Sequence, residues 1–157
     1  MNIFFLDQDH TKNAMCHVDR HVVKMPLEAC QMLASAYPNG VAPYKHTHIN
    51  HPMAKWVRES ECNFYFTTNY ALSLCEEYTY RYDKRHKCQD VVDWYLQNKP
   101  DFKSFPPTDP PRCFGEFVVP ITDSVVDDYR NYYITAKQHI FNWKKRNLPE
   151  WLDKALF

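Results

Sequence analysis

Apolar positions recur at helical spacing along most of this chain, and prolines gather where they stop. Over 12–36, Val18, Val22, Met25, Ala29 and Met32 form one stripe, with Val23, Leu27, Cys30 and Ala34 beside it. That is the pattern of an amphipathic helix. The narrow face left over carries His17, His21, Lys24, Glu28 and Gln31. Pro26 removes a backbone donor inside the pattern and predicts a kink there, or a division into two helices. Pro52 suits a first helical position. From there Met53, Val57, Ser60, Phe64, Thr67, Ala71, Leu74 and Tyr78 alternate at four and three, to about Tyr82. One helix of that span would be about 45 Å long and would form the spine of the fold.

Residues 89–97 predict a short third helix around Val91, Val92, Trp94, Tyr95 and Leu96. A last helix starts near Asp123 or Ser124, where Ser124-x-x-Asp127 resembles a capping box. Its stripe is Val126, Tyr129, Tyr133, Ala136, Ile140 and Trp143, and Leu148, Pro149 and Trp151 follow as a packed tail. Residues 3–6 are a short apolar run, read as an edge strand or an extended lead-in. Six of the eleven prolines lie between Pro100 and Pro120, which predicts an extended surface crossing over 98–121. The expected fold is therefore all-α: a compact helical bundle around one long central helix, with a Pro-rich surface crossing.

Composition narrows the function. A chain of 157 residues predicts a single helical domain over 1–157. Its two glycines, Gly40 and Gly115, exclude a Gly-rich phosphate loop. No eighteen-residue apolar stretch predicts a membrane span, and the first residues lack a signal peptide's basic start. The expected place is the cytoplasm. Six scattered cysteines without a C-x-x-C pair fit reduced thiols. Nineteen basic and nineteen acidic residues give a net charge of zero. Proteins that grip long DNA are usually basic, so a small nucleotide is the favoured partner and nucleic acid the second. Lys144-Lys145-Arg146 is a local basic patch, and a homo-oligomer is compatible with the sequence. The aromatic content of 16% supplies rings able to stack on bases.

Five of the eight histidines fall in two stretches, Cys16–Glu28 and Tyr44–Pro52. Imidazoles exchange protons near neutral pH. His17, His21 and His48 are therefore candidate acids and bases, with Glu28 beside them. Lys24, Lys45 and Arg58 are candidates to hold phosphate, and Tyr44 or Trp56 to stack a base. Asn50-His51-Pro52 begins a helix, where free N–H groups favour an anion, with Thr47 just before it. Asn63 lies on the same side as Arg58. His46-x-His48-x-x-His51 is a weak match to a zinc set, so no cofactor is expected ahead of that minor alternative.

The His21-Val-Val-Lys-Met helix, the Tyr44-to-Pro52 corner, the Trp56-Val-Arg-Glu-Ser start, the Glu76-to-His86 stretch and the Asp123-to-Trp151 tail resemble a group of small bacteriophage proteins. That group in turn is similar to the pyrimidine-dimer DNA glycosylase, or endonuclease V, family. The second resemblance rests on Asn50-His51-Pro52 with Trp56, and on the aromatic run Tyr129–Tyr133. It implies a helical domain with a long central helix. It also implies a freed α-amine of a small second residue as nucleophile, and a glutamate before a proline in the first helix. Here Asn2 is large enough to leave Met1 in place, Lys24 precedes Pro26, Glu28 follows it, and the chain is neutral where the family is basic. The expectation is that the fold carries over and the Schiff-base chemistry does not. The leading expectation is then a phage hydrolase cleaving a cyclic (di)nucleotide immune signal in an infected bacterial host. A DNA glycosylase/lyase of the pyrimidine-dimer type and a non-enzymatic nucleotide sponge are the alternatives.

Overall fold

The computed structural model describes residues 1–152. They form α1 (His10–Cys16), α2 (Asp19–Ala34), α3 (Pro52–Glu59), α4 (Glu61–Tyr82), α5 (Gln89–Gln97), α6 (Val125–Ala136) and a 3-10 turn (Gln138–Ile140). The fold is all-helical, with no strand among the described residues. α4 is central: α1, α2, α3 and α5 all pack against it, α2 most extensively. No described helix is long and apolar enough to cross a membrane.

Residues 3–6 settle as the extended lead-in. Ile3, Phe4, Phe5 and Leu6 are all buried, which an alternating strand at an edge would not give. Side chains satisfy their backbone groups. The Leu6 N–H donates to Asn13 Oδ1 at 2.8 Å, and Arg130 Nε donates to the Leu6 carbonyl at 2.8 Å. A buried segment without a strand partner needs such bonds.

Both long helices predicted from periodicity are divided, and in each case a distant group captures the backbone. The first breaks at His17 and Val18, not at Pro26, which lies inside α2. Val18 N–H donates to the Tyr133 hydroxyl at 3.1 Å, and Asp19 N–H donates to the Asn142 carbonyl at 2.8 Å. The second breaks at Ser60, which is extended (φ −146°, ψ 159°) and caps α4 through its hydroxyl. The Glu61 and Cys62 N–H groups then donate to the carbonyls of Ser104 and Phe105 on the proline-rich crossing. The spine is thus α4 alone, 22 residues or about 33 Å.

The stripe from Val18 to Met32 is buried as the pattern demands. The second stripe is half right: Cys30 and Ala34 are buried, Val23 and Leu27 are exposed. α5 matches its predicted range. α6 starts after Ser124, whose hydroxyl accepts from Asp127 N–H at 3.1 Å. It ends at Ala136, so Ile140 and Trp143 pack from beyond the helix. Asn63 pins the crossing: its Nδ2 donates to the Trp56 carbonyl and to Thr108 Oγ1, and its Oδ1 accepts from Thr108 N–H.

Candidate active site

Burying residues 3–6 brings the start of the chain out beside α2. There Met1, Asn2, Phe4, His21, Lys24, Glu28, His51, Cys113, Gly115, Tyr132 and Lys137 line a polar cavity of about 300 Å³. Glu28 stands on its wall. One carboxylate oxygen, Oε1, lies 3.3 Å from the Met1 α-ammonium and accepts from the Asn2 N–H at 3.1 Å. The other, Oε2, lies 3.5 Å from Lys24 Nζ. The Lys24 side chain is 70% exposed, so that ion pair is a weak one.

Asn2 is a clamp. Its Nδ2 donates to the Cys113 carbonyl at 2.9 Å, and its Oδ1 accepts from the Tyr129 hydroxyl at 3.0 Å. The large side chain that argued against the family's chemistry therefore fixes the chain start at Glu28. The displacement of the glutamate past Pro26 is also absorbed in space, because α2 continues through the proline and turns Glu28 toward the amine.

The remaining walls are aromatic and cationic. Phe4 stacks on His21 at 4.4 Å, and Phe114 stacks on Tyr132 at 4.7 Å. Lys137 Nζ lies over the Phe4 and Tyr132 rings at 5.9 and 5.6 Å. Burial, then the nearby Lys24 charge, lowers the Lys137 pKa below the usual lysine value. His51 caps α3, its Nδ1 accepting from Met53 N–H at 3.1 Å, so Nε2 carries the ring proton. Burial lowers its pKa, with the α-ammonium group and His48 adding to the effect.

His21 and His17 are both neutral, and only the first reaches the cavity. The Tyr133 hydroxyl accepts from Val18 N–H and is hydrogen-bonded to His21 Nδ1 at 2.6 Å. Burial, then His17, Lys137 and Lys24, push the His21 pKa down to about 2. His17 is sealed in the core. Its Nδ1–H donates to the Asn13 carbonyl at 2.7 Å, and Nε2 accepts from Tyr70 at 2.9 Å. Burial is the largest cause that takes its pKa to about 4. The single histidine face expected on the first helix thus loses His17 to the break between α1 and α2.

A neutral folded imidazole gives a definite pH dependence. The unfolded chain gains protons below about pH 6.5, whereas folded His17 gains one only near pH 4. This stability is fully present above pH 6.5 and is lost as pH falls toward 4. For His17 alone it amounts to about 2 kcal/mol between pH 7 and 5. The melting temperature should fall over that window, and less steeply in His17→Gln. Equal slopes for the two proteins would contradict the assignment.

The other expected site residues do not join the cavity. His48 has a left-handed backbone (φ 50°), and its ring is bonded to Thr47 at 2.8 Å. His46 Nε2 bonds the Tyr37 carbonyl, and His51 is engaged as a cap. The zinc alternative loses its geometry here, as no three His, Cys, Asp or Glu side chains among the described residues converge on a metal position. The Tyr44 hydroxyl turns to Cys88 Sγ at 3.5 Å, and Lys45 is exposed. Trp56 is buried against the edge of Phe5, its indole N–H on the Thr108 carbonyl, so it offers no open face for a base. It and Asn50 border a separate, open cleft of about 600 Å³. Arg58 Nη1 is buried without a hydrogen-bond partner among the described residues, and Asn63 is the structural pin described above.

Sequence reasoning discounted the α-amine because of the size of Asn2, and missed Phe4, Tyr132, Lys137 and Cys113. The available signal was the run Ile3–Leu6: four consecutive apolar residues so near the start must draw the terminus against the core.

A family model described as pyrimidine dimer DNA glycosylase matches residues 1–90, more than half of the 157-residue chain. No curated protein and no solved structure matches. The matched span holds the lead-in, α1 to α4, and the amine, Lys24, Glu28 and His51. The chain belongs to the pyrimidine dimer DNA glycosylase family.

Proposed function

We propose that this protein is a DNA glycosylase/lyase that uses its terminal α-amine as nucleophile and Glu28 as the base beside it. One observation carries this proposal. The Met1 amine and the Asn2 nitrogen both lie within 3.3 Å of the same Glu28 oxygen. With either Met1 or Asn2 as the first residue, an α-nitrogen stands at the carboxylate.

The chemistry follows from that pair. Glu28 accepts a proton from the ammonium and frees its lone pair. The nitrogen adds to C1′ of the damaged nucleotide, the C1′–base bond breaks, and the base leaves with the electron pair and takes up a proton. A proton then passes from nitrogen to O4′ as the C1′–O4′ bond opens, leaving a protonated imine. Loss of a C2′ proton expels the 3′ phosphate oxygen, and water releases the amine. Lys24 and Lys137 supply positive charge for flanking phosphates, which a chain of zero net charge must concentrate locally.

Cyclic dinucleotide cleavage, the leading expectation from the histidine clusters, loses its support. It required His17, His21 and His48 as a set. His17 is sealed, His21 stays neutral and His48 lies outside the cavity.

Borohydride reduction during incubation with DNA carrying an abasic site or a thymine dimer is the test. A stable protein–DNA adduct is the expected result. No adduct with either DNA, alongside turnover of a cyclic dinucleotide, would overturn the proposal.

A further inference from the structure

Three buried cysteines that the amine cavity does not use gather where α5 begins: Cys30 on α2, Cys75 on α4 and Cys88 at the N-cap of α5. Two hydrogen bonds, one on either side of the cluster, hold this part of the chain on α2. His86 Nε2 donates to the Val23 carbonyl at 2.8 Å, and the Tyr95 hydroxyl donates to the Cys30 carbonyl at 2.7 Å. Between them the Cys30 thiol and the Cys88 sulfur are hydrogen-bonded to each other, and Cys75 is a neighbour without that bond. Cys88 differs from the other two in its surroundings. It occupies a helix N-cap, where Ser, Thr, Asn or Asp ordinarily accepts from the first N–H groups, and its side chain makes no such cap bond. The Tyr44 hydroxyl lies 3.5 Å from its sulfur. The bond from Cys30, then the His86 and Tyr44 contacts, hold the Cys88 pKa below the usual thiol value against the effect of burial, while the same bond and burial raise that of Cys30. A helix N-terminus favours a thiolate in the same direction.

We propose that Cys88 and Cys30 are a peroxide-reactive pair that closes a disulfide between α5 and α2. Hydrogen peroxide is the oxidant. The Cys88 thiolate attacks one peroxide oxygen, the O–O bond breaks, and hydroxide leaves with the electron pair. That hydroxide takes the Cys30 proton and becomes water. The Cys30 thiolate then attacks the sulfenic sulfur of Cys88, the S–O bond breaks, and a second hydroxide leaves and is protonated by solvent. Two thiols have lost two electrons and two protons, and the peroxide has become two waters. Cys30 is placed for the second step, because it is already bonded to the sulfur it must attack. The way in is at Tyr44, a half-buried ring on the irregular stretch between α2 and α3. Peroxide is little larger than water, so a small shift of that ring admits it. Cys30 follows Glu28 by two positions on α2, so the bond would fasten the helix that carries Glu28 to α5. By closing the chain from 30 to 88 on itself it would also restrict the unfolded state.

The test treats the full chain, first reduced, with a small excess of hydrogen peroxide at neutral pH, then digests it without reductant and maps it by mass spectrometry. The expected result is a peptide cross-linked between Cys30 and Cys88 and an intact mass lower by two hydrogens. The melting temperature should rise by about 5 °C or more, and dithiothreitol should reverse all three changes. Cys30→Ala should stop at the Cys88 sulfenic acid, which dimedone captures. Cys88→Ala should lose the cross-link and consume peroxide at least about tenfold more slowly. Cys75→Ala should cross-link as wild type does. The wild-type map decides the proposal even where a variant folds poorly. A link from Cys88 to Cys75 would overturn it, as would oxidation of Cys16, Cys62 or Cys113 with the pair left as thiols. So would a cross-link that forms only in urea.

Discussion

Glu28→Gln should lower DNA incision by about 10²- to 10⁴-fold, the range over which a positioned general base contributes. Glutamine keeps the size of the side chain and an oxygen that can accept the Asn2 N–H, now at 3.1 Å. It cannot take the proton that holds the amine in its unreactive form. The loss should appear in single-turnover rates at saturating protein, where DNA binding no longer limits the rate. The companion variant Lys24→Gln should cost far less, since Lys24 is an exposed partner of Glu28 and not its only cation. Full activity in Glu28→Gln would leave the amine without an identified base and remove Glu28 from the mechanism.

Blocking the α-amine should have a larger effect still. Acetylation of the terminus, or a Gly-Ser extension ahead of Met1, turns the nucleophile into an amide nitrogen whose lone pair is delocalised. Incision and borohydride adducts should fall by at least about 10³-fold, with the melting temperature nearly unchanged because Asn2 still clamps the segment. Retained activity would point to a side-chain amine, and Lys137, desolvated and in the same cavity, is the one placed to supply it.

The parts of the fold that were legible in the sequence are those fixed locally. Ser124 and Asp127 set the start of α6 through one cap bond, and the prolines of 100–120 forbid a helix there whatever surrounds them. The two helix breaks were illegible because the groups that cause them are remote. Val18 loses its helical hydrogen bond to a hydroxyl 115 positions away, and Glu61 to a carbonyl on the crossing. The error at His17 then passed into the site. A helical wheel drawn through an unbroken helix placed it beside His21, whereas the break turns it inward to Asn13 and Tyr70. His21, Lys24 and Glu28 lie within one continuous helix, and their shared face survived. The amine was invisible to a search for side-chain patterns. Asn2 counted against it on size alone, because the partners that make that size useful, Cys113 and Tyr129, lie far along the chain.

The central claim is that the chain start at Glu28 is the nucleophile. Peptide mapping of the borohydride-reduced adduct by mass spectrometry tests it most directly. The account predicts that the remnant of deoxyribose is carried on the α-nitrogen of the peptide beginning at Met1 or Asn2. A remnant on Lys24 or Lys137, with the α-amine left free, would contradict it.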